Sequence, residues 1–145
     1  MTNKLFCLKN KMIKKNKLIK KKAHKGDVTK IINNKSNYFH GFGELYISEI
    51  KLKKIKGWKK HKRMTMNLKV IQGKVKFVFI TKNNKKFREI ILHDKDLKLI
   101  TVPKKTIFAF QGLNEKNMIM NFSNIQHESN ECLNYPINKF NYNWK

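Results

Sequence analysis

From Gly26 onward, short apolar runs alternate with turn residues, a pattern that predicts strands. The runs fall at 28–32, 45–50, 68–71, 75–80, 89–92, 97–102, 107–110 and 118–122. Between them stand Asn33-Asn34, Gly41 and Gly43, Gln72-Gly73, Asn83-Asn84, the stretch 94–96, Pro103 and Gly112, residues that suit turns. After Gly73 the alternation assigns faces. Val75, Phe77 and Phe79 share one side, and Lys74, Lys76, Val78 and Ile80 share the other. Because the second face also carries Val78 and Ile80, it predicts either a sandwich interior or a contact between subunits. Roughly eight to ten strands at this spacing imply an all-β sandwich or barrel in one domain.

The ends read differently. Residues 1–17 form a basic arm with no clean period, followed by one short strand near Leu18 and Ile19. Residues 134–145 are too rich in Asn for a helix, and they predict an ordered tail laid across the barrel and pinned by Tyr135, Phe140, Tyr142 and Trp144.

Charge changes the picture less than its size suggests. The 145 residues carry a net charge of +25, with 34 basic residues against nine acidic. Only Arg63 and Arg88 are arginines, whereas nucleic-acid readers draw on the bidentate fork of Arg. A basic nucleic-acid-binding protein is therefore the third reading, behind an anionic small-molecule ligand that the same charge attracts. No run approaches the roughly 18 apolar residues of a membrane span, and the N-terminus develops no signal-peptide core, so a cytoplasmic protein is expected. Cys7 and Cys132 match neither a metal-ligand spacing nor a disulfide framework and are read as reduced thiols.

Two blocks carry chemistry. The first runs from Gly41-Phe42-Gly43-Glu44-Leu45-Tyr46 through Lys56-Gly57-Trp58-Lys59-Lys60-His61-Lys62 to Asn67 and Gly73; the second is Leu99-Ile100-Thr101-Val102-Pro103, followed by Ile107-Phe108-Ala109-Phe110-Gln111-Gly112. In order and spacing, with Asn121 and the stretch 126–144, they resemble the cupin jelly roll (double-stranded β-helix). The likeness is to the dTDP-4-dehydrorhamnose 3,5-epimerase and sugar 3,4-ketoisomerase branch of nucleotide-sugar enzymes. The resemblance spans about residues 18 to 144.

It implies a hairpin bracketed by Gly57 and Gly73 whose inward side chains line a barrel mouth. It also implies proton transfer alpha to the ketone of a 4-keto-6-deoxy sugar carried on a nucleotide diphosphate, in surface-polysaccharide synthesis. Where metal-binding cupins place their ligands, this chain has Lys59, His61, Met66 and Phe108, so neither metal nor other cofactor is expected. The epimerase base, its Asp and its Tyr correspond to Lys59, Phe77 and Met120, so that dyad is missing. The ketoisomerase pattern R-G-x-H-A-H-K keeps its second His as His61, with Tyr46 on the preceding strand.

By this resemblance His61 is the candidate base, Lys59 an electrostatic stabiliser of the enolate and Tyr46 a proton donor. The alternatives are a structural His among lysines, a background Lys and a Tyr that fills a strand face. Arg63 suits a diphosphate, or else an ion pair with Glu44 or Glu49. Trp58, Phe108 and Phe110 stack on a base or sugar, or fill the core. Asn67 and Gln111 offer hydrogen bonds to sugar hydroxyls. The Val78 and Ile80 face predicts a homodimer. Two functional classes follow: a nucleotide-sugar isomerase or epimerase, or a non-catalytic cupin that binds a sugar nucleotide or another anion.

Overall fold

The computed structural model describes residues 12–81 and 86–145. Two five-stranded antiparallel sheets face each other. Edge to edge, the first runs β1 (Lys14–Lys17), β9 (Lys98–Val102), β6 (Met66–Gln72), β11 (Lys116–Ser123) and β4 (Glu44–Lys51). The second runs β12 (Cys132–Asn134), β5 (Ile55–His61), β10 (Ile107–Gly112), β7 (Lys74–Thr81) and β8 (Lys86–His93). A small hairpin, β2 (Ile19–Lys21) with β3 (Val28–Lys30), stands apart. From β4 to β12 nearly every connection crosses between the sheets, and only β7 and β8 form a hairpin within one. That is the jelly roll, and the all-β cupin expectation is met.

Alternation decides what fills the barrel. Leu68 and Val70 on β6, Phe77 and Phe79 on β7, Ile100 on β9, Phe108 and Phe110 on β10 and Ile119 on β11 converge in one buried cluster. Each such side chain contributes roughly 1.5–3 kcal/mol by leaving water. A second cluster lies outside the barrel, on the opposite face of the β5-β10-β7 sheet. There Trp58, Val78, Ile80, Ile107 and Ala109 are covered by Ile55, Tyr135, Phe140, Tyr142 and Trp144.

Three expectations are corrected here. Val78 and Ile80 are buried under the chain's own tail, so their face is not a surface for a subunit contact. Gly57 and Gly73 bracket no hairpin. Gly57 lies within β5, whereas Gly73, with φ +78°, turns the chain from β6 in one sheet to β7 in the other. Of the basic arm, residues 14–17 are a strand paired with β9 and not a loose extension. The tail, as expected, lies across the sheet through Tyr135, Phe140, Tyr142 and Trp144, with one short 3-10 turn, Ile137–Lys139. Cys7, the rest of the arm up to residue 11 and the Asn83-Asn84 turn lie outside the described residues.

Candidate functional site

Strand β5 builds the site, through an irregularity. Its register with β10 steps from Lys59 opposite Phe108 to Gly57 opposite Ala109, leaving Trp58 as the extra residue of a β-bulge. Gly57 is required at this step: its φ is +117°, and an added Cβ would stand 2.8 Å from the backbone and side chain of Ala109. Phe108 belongs to the inner cluster and Ala109 to the outer one. The bulge therefore sends Trp58 outward and turns Lys59 and His61 inward, at the end of the barrel where β5 stops.

The imidazole of His61 is 6% exposed and lies roughly parallel to Phe108, with centroids 6.2 Å apart and planes 28° apart. Its Nδ1 is buried and has no hydrogen-bond partner among the described residues. Burial, then the Lys59 ammonium, lower its pKa to about 4, against the pull of the Glu131 carboxylate. His61 is thus neutral across the physiological range.

Strand β12 closes this side. Cys132 pairs directly with His61 and Asn134 with Lys59, which puts both on the inner side of the sheet. Burial raises the Cys132 thiol pKa, with Lys59 acting the other way, so the thiol stays protonated. Across the barrel, β4 and β11 present Tyr46 opposite Asn121, whose amide Nδ2 donates to Ser48 Oγ at 3.3 Å and to Ile119 O at 3.0 Å. Burial, Glu44 and the nearby Cys132 raise the Tyr46 pKa and keep its hydroxyl a donor. The mouth therefore combines a neutral imidazole, an ammonium, a phenol, a thiol and an amide over an aromatic floor. That set can accept a proton, return one and stabilise a developing oxyanion.

The other predicted site residues divide. Phe108 lines the mouth, and Phe110 lies one step deeper against Phe77. Trp58 is wholly buried under the tail, its Nε1 donating to Ile137 O at 3.1 Å, and is not available to stack on a ligand. Asn67 and Gln111 point out of the barrel. The Asn67 amide donates to Tyr38 O at 2.8 Å and accepts from Thr101 Oγ1 at 2.7 Å, while Gln111 reaches Lys53 O at 3.4 Å. Arg63 sits on the connector after β5 and pairs with Glu128 and Glu131, both at 3.1 Å, and not with Glu44 or Glu49. Met120, in the position of the epimerase Tyr, also faces outward, paired with Lys69. Met66 and Phe77 lie in the core. Among the described residues, no group of three or more His, Cys, Asp or Glu is placed to hold a metal ion.

Sequence reasoning missed Cys132, Glu131 and Asn134. Cys132 and Asn134 stand on a strand of three residues with no apolar alternation, and Glu131 on the connector before it, so no periodic signal marked them. A cavity of about 1010 Å³ opens at the other end of the barrel, between Ile50, Ile55, Gln72 and Lys116, and contains none of the mouth residues.

This fold is shared with solved structures of nucleotide-sugar enzymes. A dTDP sugar isomerase from Desulfovibrio desulfuricans G20 superposes with a TM-score of 0.82 at 23% identity, over 91% of this chain and 90% of that one. The dTDP-4-dehydrorhamnose 3,5-epimerase of Bacillus anthracis, solved with TDP and PPi bound, gives 0.76 at 19% identity over 87% and 79%. A sugar 3,4-ketoisomerase from Thermoanaerobacterium thermosaccharolyticum in complex with TDP gives 0.73 at 15% over 83% and 86%. No protein-family model matches the sequence, and no curated protein does.

Proposed function

We propose that the protein is a nucleotide-sugar isomerase or epimerase that moves a proton alpha to the ketone of a 4-keto-6-deoxy sugar. One observation carries the reading. A buried imidazole, neutral and with an Nδ1 unpartnered among the described residues, is held at the open end of a barrel beside Lys59 and across from Tyr46. Leaving such an atom unsatisfied costs about 1–3 kcal/mol, a cost that a bound polar ligand removes.

In this reading His61 takes the C3 proton and the C3–H electron pair becomes the C3–C4 double bond of an enediolate, whose C4 oxygen Lys59 stabilises. Protonation at carbon C4, with the C3 hydroxyl proton passing to the C4 oxygen, gives the 3-ketone and a C4 hydroxyl; protonation at C3 from the other face gives the epimer. Tyr46 is the donor. The nucleotide likeness comes from the TDP complexes of the B. anthracis and T. thermosaccharolyticum structures. We place the reaction in the cytoplasm, where nucleotide-diphosphate sugars are made, and in surface-polysaccharide synthesis.

Incubation with a dTDP-4-keto-6-deoxy sugar in D₂O tests it. Deuterium at C3 or C4 of recovered sugar supports the proposal. Binding of dTDP without exchange favours instead a non-catalytic sugar-nucleotide binder, the reading to which the missing epimerase dyad points.

We further infer a homodimer, formed through the outer face of the sheet that ends at β4. Phe42, Leu45 and Ile47 are 65%, 53% and 55% exposed there, beside half-buried Met120 and Phe122, and the far edge of β4 is unpaired among the described residues. A two-fold copy would cover both the apolar patch and the edge. Sedimentation should show a dimer that Ile47→Lys converts to a monomer; a monomeric wild type removes the inference.

A further inference from the structure

We propose that Glu131 is a positioning residue for His61, holding the end of β5 in place and setting a negative charge behind the imidazole. The role rests on the reading of His61 as the base.

Glu131 is the last residue before β12 and is 1% exposed. Its Oε1 accepts from Arg63 N at 2.6 Å and Met64 N at 2.7 Å, and its Oε2 accepts from Arg63 Nε at 3.1 Å. Its main-chain oxygen accepts from Lys62 N at 3.0 Å. Every one of these donors belongs to the three residues that follow His61. On the other side, Lys105 N donates to His61 O at 2.7 Å, and Cys132, the next residue after Glu131, pairs with His61. The imidazole thus stands at a strand end clasped from both flanks, and on one flank the clasp is a carboxylate.

Three neutral acceptors would hold the connector as well; the charge matters for the proton. Around His61 are Lys59 on its own strand, Cys132 and Glu131 beside it and His127 on the connector before β12, with Tyr46 of β4 near Cys132; β10 contributes only uncharged Phe108. Lys62 and Arg63 follow it in sequence. Of these, Glu131 is the anion that favours an imidazolium against Lys59. The N–H groups of Arg63 and Met64 and the Arg63 guanidinium outweigh burial and keep Glu131 ionised. When His61 takes a proton from carbon, this carboxylate offsets the charge that appears.

Glu131→Gln keeps the shape and the acceptor and removes the charge. With ¹³C-labelled histidine, the His61 Cε1 resonance should titrate at a midpoint lower by about half a pH unit or more, within the range a lost neighbouring charge produces. The shift should appear whether or not the protein turns over a sugar, which separates this test from that of the activity. In the exchange assay Glu131→Gln should lower turnover about tenfold with dTDP affinity unchanged, and the loss should vanish in a His61→Asn background. Should Glu131→Gln not fold, Glu131→Asp, which draws the carboxylate back by one methylene, should show the same downward shift at smaller size. An unchanged midpoint in whichever variant folds overturns the proposal, as does a turnover loss that persists without His61. Glu128→Gln, which removes the solvent-exposed partner of Arg63, should change neither.

Discussion

The two faces of β5 differ in what meets their polar atoms. Outward, Trp58 makes edge or tilted contacts with Phe140, Tyr142 and Trp144 and donates to the tail backbone, so its surface and its polar atom are both satisfied. Inward, three residues on, His61 is nearly as buried but its Nδ1 has no partner among the described residues. On one face, at Trp58, the polar atom is met by the chain itself; on the other, at His61, among the described residues, it is not. A single bulge at Trp58 separates them, and without it Trp58 and Lys59 would exchange faces.

Substitutions on each face should therefore fail in different ways. The largest effect is expected inward: His61→Asn should lower turnover by 10²–10⁴-fold, roughly what a general base contributes, while thermal stability and dTDP affinity hold. Survival of activity within about threefold would show that the base lies elsewhere. Outward, Trp58→Ala should destabilise the fold by about 3–5 kcal/mol in denaturant titration, because the tail loses its anchor. If it abolished dTDP binding in protein that remained fully folded, the division between the faces would break down.

Acid sharpens the contrast. Because His61 has its pKa lowered to about 4 in the folded chain, the unfolded chain binds the proton first as pH falls below the ordinary 6.5. Stability should drop between about pH 6.5 and 4 by up to about 3 kcal/mol, a drop that His61→Asn removes. An equal acid loss in that variant would assign it to other groups. The smallest effects belong to side chains outside the barrel. Asn67→Ala should cost about 1–2 kcal/mol of stability through its lost bonds to Tyr38 and Thr101, and Gln111→Ala less, with neither altering nucleotide affinity in calorimetry.

These differences also show what the sequence made legible. Each run assigned as a strand by alternation is a strand, and the side of β7 carrying Phe77 and Phe79 faces the core. The same parity was available for Asn67, which alternates with inward Met66 and Leu68, and for Gln111, which follows inward Phe110; applied there, it would have removed both from the site. At β5 parity fails, since a bulge leaves no mark in a string of Lys, Gly and Trp. The tail was readable from its aromatics, but the face it covers was mistaken for a subunit contact, because pattern alone does not tell which apolar surface the chain will bury itself. Glu131 and Cys132 reach the mouth only through a crossing between sheets, which no local pattern encodes.

The pH dependence of solvent deuterium exchange into the keto sugar tests the central claim most directly. A neutral, buried His61 acting as base predicts a rate that stays flat from pH 8 down to about 5 and falls with a midpoint near 4, in protein whose far-UV signal is unchanged. A midpoint near the ordinary histidine value of about 6.5, or the same profile in His61→Asn, would contradict it.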